Sequence, residues 1–135
     1  MGSEQATGRP PIEGQITFFY YADIGQAEAF YGATLGLEKI FDRGWVKFFR
    51  ITGTARVGLV DEAHGHHPAA GPKSVMLSIE TPDLEGWYAR ARAGGAEFQK
   101  HLDLENPTNS LVNGFLLRDP GGYSVEFFRF NAPLS

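Results

Sequence analysis

The segment Arg118-Asp119-Pro120-Gly121-Gly122-Tyr123-Ser124-Val125-Glu126 decides the fold, because it is the second copy of a pattern that the chain uses twice. It joins a tight Pro-Gly turn to a strand of β-branched and aromatic residues. Residues 49–59 align with residues 117–127 without a gap, and a strand and a Gly-terminated helix precede each copy. A repeat of about 60 residues is too long for a solenoid. The sequence therefore predicts tandem duplication of a βαβββ unit and an α+β fold class.

The 135-residue chain is long enough for one domain with its own core. We expect a single domain over residues 14–132, with unit one at 14–61, a linker at 62–73 and unit two at 74–130. Residues 1–13 are expected to form a flexible tail.

Local signals place the strands and helices within each unit. Residues 15–21 are aromatic on both strand faces, which predicts a central strand covered on two sides. Asp23 is predicted to cap the first helix. Thr81 is predicted to cap the second helix, with Pro82 at its first helical position.

Composition excludes several classes of partner. The formal net charge is −4 and the 12 basic residues are scattered, so neither nucleic acid nor an anionic membrane is an expected partner. No apolar run approaches the roughly 20 residues of a membrane helix, and residues 1–13 lack a signal-peptide core. The chain has no cysteine, which removes thiol catalysis and thiolate metal sites. A cytoplasmic location is the resulting expectation.

Three fragments, in this order, resemble the vicinal oxygen chelate superfamily of glyoxalases, bleomycin-resistance proteins and extradiol dioxygenases. They are Ala22-Asp23 through Leu35-Gly36-Leu37, then Gly94-Gly95-Ala96, then residues 118–126. The resemblance covers residues 14–130. It implies that the two units form a curled mixed sheet around a cavity whose floor carries the metal and the substrate in metal-dependent members.

Carried over residue by residue, the family's four metal-ligand positions fall on Ile16, Gly58, Ser74 and Glu126. Only Glu126 keeps the ligand that the family uses. Transition metals in such sites need three or four protein ligands. The resemblance therefore implies a member without metal or other cofactor.

Two alternatives for metal binding stay open from the sequence. A one-residue shift would offer Gln15 as a ligand, but it would turn Ile16, Phe18 and Tyr20 away from the cavity. The run His64-Gly65-His66-His67 is the second candidate. The other interpretation of this run is a solvated linker between the units.

Strand alternation, with the register taken from Asp23 and Glu126, predicts which side chains line the cavity. Gly58 leaves space in the middle of its floor. The predicted ligand-binding residues are Phe18, Tyr20, Arg56, Ser74, Met76, Ser78, Ser124 and Phe128. An apolar, aromatic pocket with few polar groups suits a small aromatic or planar apolar molecule.

Glu126 is the predicted catalytic residue, because a carboxylate among apolar side chains can transfer protons without a metal. The structural alternative is a buried salt bridge between Glu126 and Arg56. Arg50 and Arg118 hold equivalent positions in the two units, which favours a shared structural role. Asp119 is expected to stabilise its own turn.

Three functions are consistent with these residues. The leading hypothesis is a metal-independent protein that binds a small aromatic or apolar molecule. The alternative is a lyase, isomerase or epimerase that acts on a carbonyl compound, with Glu126 as acid and base. A metal-dependent glyoxalase or dioxygenase is disfavoured by Ile16, Gly58 and Ser74. We also expect a homodimer, because two units leave sheet edges and faces uncovered.

Overall fold

The computed structural model describes residues 8–133, and over this range the elements follow the predicted duplication. Unit one contains β1 (Gln15–Tyr21), α1 (Ile24–Ala29), β2 (Glu38–Asp42), β3 (Val46–Thr52) and β4 (Ala55–Asp61). Unit two contains β5 (Met76–Glu80), α2 (Leu84–Ala93), β6 (Glu97–Lys100), β7 (Val112–Arg118) and β8 (Ser124–Phe130). Of the predicted tail, residues 1–7 lie outside the described residues, and residues 8–13 are exposed.

Each unit forms one four-stranded mixed sheet, with the orders β1-β4-β3-β2 and β5-β8-β7-β6. In both sheets the first and last strands of the unit pair in parallel, and the remaining neighbours are antiparallel. A register shift lies between Lys39 and Phe41 in one sheet and between Phe98 and Lys100 in the other. The α+β class and the tandem βαβββ units are therefore confirmed.

The position of β1 differs from the sequence prediction, because β1 is an edge strand and not a central one. One face of β1 packs in the core through Phe19 and Tyr21, whereas Phe18 on the other face is 43% exposed. The outer backbone edge of β1 is held by unit two. The Tyr20 amide donates to the Tyr123 hydroxyl at 3.0 Å, and that hydroxyl donates to the Tyr20 carbonyl at 3.3 Å.

One of the two predicted helix caps is found, and the other is displaced. Oδ1 of Asp23 accepts the amides of Gly25 and Gln26, so α1 begins as expected. The second cap is Asp83 and not Thr81. The Thr81 hydroxyl accepts the amide of Asp83 at 3.1 Å, which leaves the Asp83 carboxylate to cap the helix.

The two units share one hydrophobic core. α1 continues into a π-helical turn (Phe30–Thr34). Each helix packs against the face of its own sheet that lies in the core. Neither helix in the described chain is long and apolar enough to cross a bilayer. The largest fully buried side chains of the core are Tyr31, Phe19, Phe49, Phe115, Phe127, Leu35, Leu59, Leu84 and Leu117.

Asp119 joins the two units at the centre of this core. Its Oδ1 accepts the amides of Gly121 and Tyr123, each at 2.9 Å, which is the turn stabilisation that the sequence predicts. Its Oδ2 accepts the hydroxyls of Tyr21 at 2.5 Å and Tyr31 at 2.7 Å, both from unit one. Burial raises the pKa of the Tyr21 and Tyr31 hydroxyls far above their ordinary value, and the neighbouring Asp119 charge raises these pKa values further.

The raised pKa values of Tyr21 and Tyr31 cause the free energy of unfolding to decrease at high pH. In the unfolded chain they ionise near pH 10, whereas the folded protein keeps them protonated, so their contribution is complete below about pH 10 and is lost above it. We expect the free energy of unfolding to fall between about pH 9 and about pH 12, and to fall less steeply in Tyr21→Phe. Urea unfolding across this range measures both slopes. Tyr88→Phe is the matched control, and equal slopes in Tyr21→Phe and the unsubstituted protein would contradict the assignment.

Candidate functional site

The candidate site consists of the sheet faces that point away from the helices and the core. Cross-strand partners point to the same side of a sheet, so the register defines two faces. The unit-one face is formed by Ile16, Phe18, Tyr20, Phe48, Arg56 and Gly58. The unit-two face is formed by Met76, Ser78, Leu116, Ser124, Glu126 and Phe128.

The unit-one face carries a half-exposed row of aromatic rings. Phe18 lies over Gly58, where a Cβ atom would come within 2.7 Å of the ring. The edge of Phe18 meets Phe48 with ring centres 5.9 Å apart, and Phe48 stacks on Phe41 at 4.7 Å. The absence of a side chain at Gly58 thus lets the Phe18 ring lie against the backbone of β4.

The linker closes one end of the unit-one face. His67 meets the Tyr20 ring edge-on at 5.1 Å, and Gly65 lies against Tyr20 and Val60, where a Cβ atom would come within 2.8 Å of both side chains. His64 stacks on Trp45 at 5.8 Å. Both histidines therefore pack on aromatic rings of unit one.

Arg56 lies at the other end of the unit-one face. Its side chain is half-buried, and its Nε atom is buried without a hydrogen-bond partner. The guanidinium passes close to Gly14, where a Cβ atom would lie 2.4 Å from Nη2. Within residues 8–133, Arg56 forms no ion pair with Glu126, so the structure does not contain the predicted salt bridge.

Glu126 is the buried charge of the unit-two face, at 9% exposure. Ser78 donates to its Oε1 at 2.8 Å, and within the described chain this hydroxyl is the only side chain that bonds to the carboxylate. The second carboxylate oxygen is therefore available to a ligand. Such a group can accept a hydrogen bond or a proton from a molecule on this face.

The other predicted residues of unit two are less enclosed. Met76 is 48% exposed, and Ser74 is exposed and precedes β5. The Ser124 hydroxyl donates to the side-chain oxygen of Gln99 at 2.8 Å. Phe128 is half-buried and meets Phe130 edge-on at 5.2 Å.

A cavity of about 1220 Å³, the β1–β5 cavity, is lined by residues of both units, among them Gln15 and Thr17 of β1 and every residue of β5. Of the predicted residues, Met76 and Ser78 line it, whereas Phe18, Tyr20, Arg56 and Glu126 do not. Sequence reasoning missed its remaining walls, which include Thr17, Ile51, Ile79, Trp87, Arg129 and Phe130. Nothing in a single chain's sequence signals which residues meet across the boundary between two units.

The residues at the family's metal positions do not fit a transition metal. Ile16 and Gly58 have no donor atom, Ser74 is exposed and precedes β5, and Glu126 alone offers a carboxylate, which is fewer than the three protein ligands such a site needs. Across residues 8–133, no three His, Asp or Glu side chains come together as a set of ligands. Gln15, the alternative from a shifted register, bonds to Thr17 and points to the β1–β5 cavity.

Comparisons with known proteins agree with this architecture. A family model described as the Glyoxalase/Bleomycin resistance protein/Dioxygenase superfamily matches residues 14–127. No curated protein matches the chain.

Solved structures with this fold include three that align over most of the chain. A glyoxalase/bleomycin resistance protein/dioxygenase from Nocardioides is 18% identical, with a TM-score of 0.70 over 99% of this chain and 96% of its own. TioX from Micromonospora sp. ML1 is 17% identical, with a TM-score of 0.69 over 86% and 97%. A lactoylglutathione lyase from Agrobacterium tumefaciens is 25% identical, with a TM-score of 0.68 over 90% and 96%.

The donor set predicts how the purified protein responds to metals. We expect no stoichiometric transition metal and a change in Tm below about 1 °C on adding chelator, since no bound ion stabilises the fold. Elemental analysis after removal of any affinity tag, together with thermal melting, measures both. His64→Ala/His66→Ala/His67→Ala is the control for ions held by the linker. One ion per chain in that variant, with a clear drop in Tm on chelation, would contradict the prediction.

Proposed function

The chain belongs to the Glyoxalase/Bleomycin resistance protein/Dioxygenase superfamily, and on this premise we propose that it binds a small aromatic or planar apolar molecule without a metal ion. The observation that carries the proposal is the half-exposed aromatic row formed by Phe18 and Phe48 of the unit-one face and by Phe41, the cross-strand partner of Phe48. The cytoplasm remains the predicted location.

Physical chemistry favours a flat apolar ligand on this face. Covering about 100 Å² of apolar surface is worth about 2.5 kcal/mol. Offset or edge-to-face stacking on Phe18 adds to that gain. Because Gly58 has no side chain and the Phe18 ring lies against it, a planar molecule meets no other side chain from β4 at the centre of this face.

A homodimer is part of the proposal. Within residues 8–133, no hydrogen bond, ion pair or ring contact joins the unit-one face to the unit-two face of the same chain. Phe18 and Met76 leave each face partly apolar and exposed. A second copy that placed its unit-two face over the unit-one face would cover both surfaces and enclose the ligand.

The buried carboxylate supports a second candidate function. Glu126 is 9% exposed and keeps one oxygen free of side-chain partners in the described chain. In a lyase, isomerase or epimerase, this oxygen would take the proton next to a substrate carbonyl, and the resulting acid would return it. The Ser78 hydroxyl would orient the carboxyl group during both transfers.

Ligand binding depends on the aromatic row in the leading proposal. We expect Phe18→Ala to weaken the binding of a planar aromatic compound about tenfold, because it removes the stacking surface. Calorimetry with a panel of planar aromatic compounds measures the affinity. Trp45→Ala is the control, since Trp45 is equally exposed, at 42%, but lies outside the face. Equal losses in the two variants would indicate non-specific apolar binding.

In the same assay, Glu126→Gln separates binding from catalysis. The amide has nearly the same shape but cannot accept a proton. Weaker binding with no turnover in either protein supports the binding function. Retained binding with lost turnover supports the lyase or isomerase function. Unchanged affinity and turnover would assign Glu126 a structural role.

Self-association follows from the uncovered faces. We expect light scattering at micromolar concentration to give about twice the mass of one chain, and Phe18→Asp to give one chain mass, because a charge would be buried at the interface. Trp45→Asp is the control and is expected to stay dimeric. A single-chain mass for the unsubstituted protein refutes the dimer.

A further inference from the structure

We propose that the ligand of the unit-one face is an amphipathic carboxylate, whose apolar ring system lies along Ile16 and Phe18 and whose carboxylate is held by Arg56. This inference rests on the proposed function and names the chemical class of its ligand. It is carried by the unpartnered guanidinium at the end of the aromatic row.

Charge at this end of the face is unbalanced. Arg50 and Arg56 are direct cross-strand partners, so their side chains leave the sheet on the same side. Arg50 is neutralised, because its Nε donates to Glu38 at 3.2 Å and its Nη1 donates to the Gly53 carbonyl at 2.7 Å. Arg56 has no carboxylate partner within the described residues, and its Nε is buried without an acceptor.

The duplicated unit shows which arginine the fold itself requires. Arg118 of unit two pairs with Glu97 at 3.3 Å, as Arg50 pairs with Glu38 at 3.2 Å, and the exposures of the two pairs are nearly equal. The position opposite Arg118 is held by Ser124, where unit one has Arg56. The equivalent hairpin of unit two is thus built without an arginine at this position, and no structural pair accounts for Arg56 in unit one.

The position of Arg56 suits a ligand that spans cation and ring. Arg56 is the cross-strand partner of Ile16, and Phe18 follows two residues along the same strand and face. Two residues along a strand correspond to about 7 Å. The guanidinium itself lies beside Gly14, four residues before Phe18, which corresponds to about 13 Å along the strand. A bicyclic ring that lies over Ile16 and reaches the edge of Phe18 spans this length and places an attached carboxylate at the guanidinium. One guanidinium binds one carboxylate through two parallel hydrogen bonds.

Gly14 leaves the space that the guanidinium occupies. A Cβ atom at position 14 would lie 2.4 Å from Nη2 of Arg56, so any larger residue would displace the charged group. Gly14→Ala is therefore a second way to disturb the site that keeps both the charge and the arginine.

The test compares 2-naphthoate with its neutral analogue 2-naphthamide by calorimetry on the full chain. We expect naphthoate to bind at least about tenfold more tightly at low salt, and Arg56→Gln to abolish this preference while leaving naphthamide affinity unchanged. Gly14→Ala is expected to reduce the same preference. Arg50→Gln is the matched control and should retain it.

Each contrary outcome has a distinct meaning. Equal affinities for the two compounds on the unsubstituted protein would overturn the inference and leave the proposed function standing. Binding of neither compound would overturn both. A preference that survives Arg56→Gln, or one that Arg50→Gln removes equally, would overturn the assignment to Arg56. Tighter binding of 2-naphthyl phosphate than of naphthoate would overturn the choice of carboxylate.

Discussion

The carboxylate of Asp119 fixes how the two units are arranged, and the geometry of both faces depends on it. It accepts two amides from its own turn and two tyrosine hydroxyls from unit one, so one side chain sets the turn and the junction together. The turn delivers Tyr123 to the β1 edge, where its ring stacks on Phe19 at 4.0 Å. Tyr123 immediately precedes β8, and this anchor therefore sets the position of Glu126 three residues later.

Comparison of the two units distinguishes the features that both share from the residues at which they differ. The register shifts and the Arg50–Glu38 and Arg118–Glu97 pairs occur in both units, which is the signature of a structural requirement. At the centre of the face, however, unit one has Gly58 and unit two has Glu126. The unit-one face is therefore apolar at its centre, and the unit-two face is acidic there. Divergence at equivalent floor positions is expected when two faces contact different parts of one ligand.

The sequence predicted the duplicated unit and its α+β class, because periodicity and turn residues are local properties. The position of β1 was predicted incorrectly, since aromatic residues on both faces also describe an edge strand with a core face and a binding face. The Thr81 cap was wrong by two residues because Thr81 and Asp83 compete for the same role. The β1–β5 cavity was missed because its walls come from opposite sides of the unit boundary.

A protein partner and a small ligand would make different demands on the unit-one face. A partner that covered the whole face would need a flat apolar surface, yet the linker already encloses the Tyr20 end through His67 and Gly65. What remains open is a short strip that runs from Phe18 to a single unneutralised guanidinium on Arg56. A strip that is apolar at one end and cationic at the other matches a small amphipathic anion in both size and charge. In the proposed dimer, a second copy of the chain would exclude water from that strip and so strengthen the contact between charges.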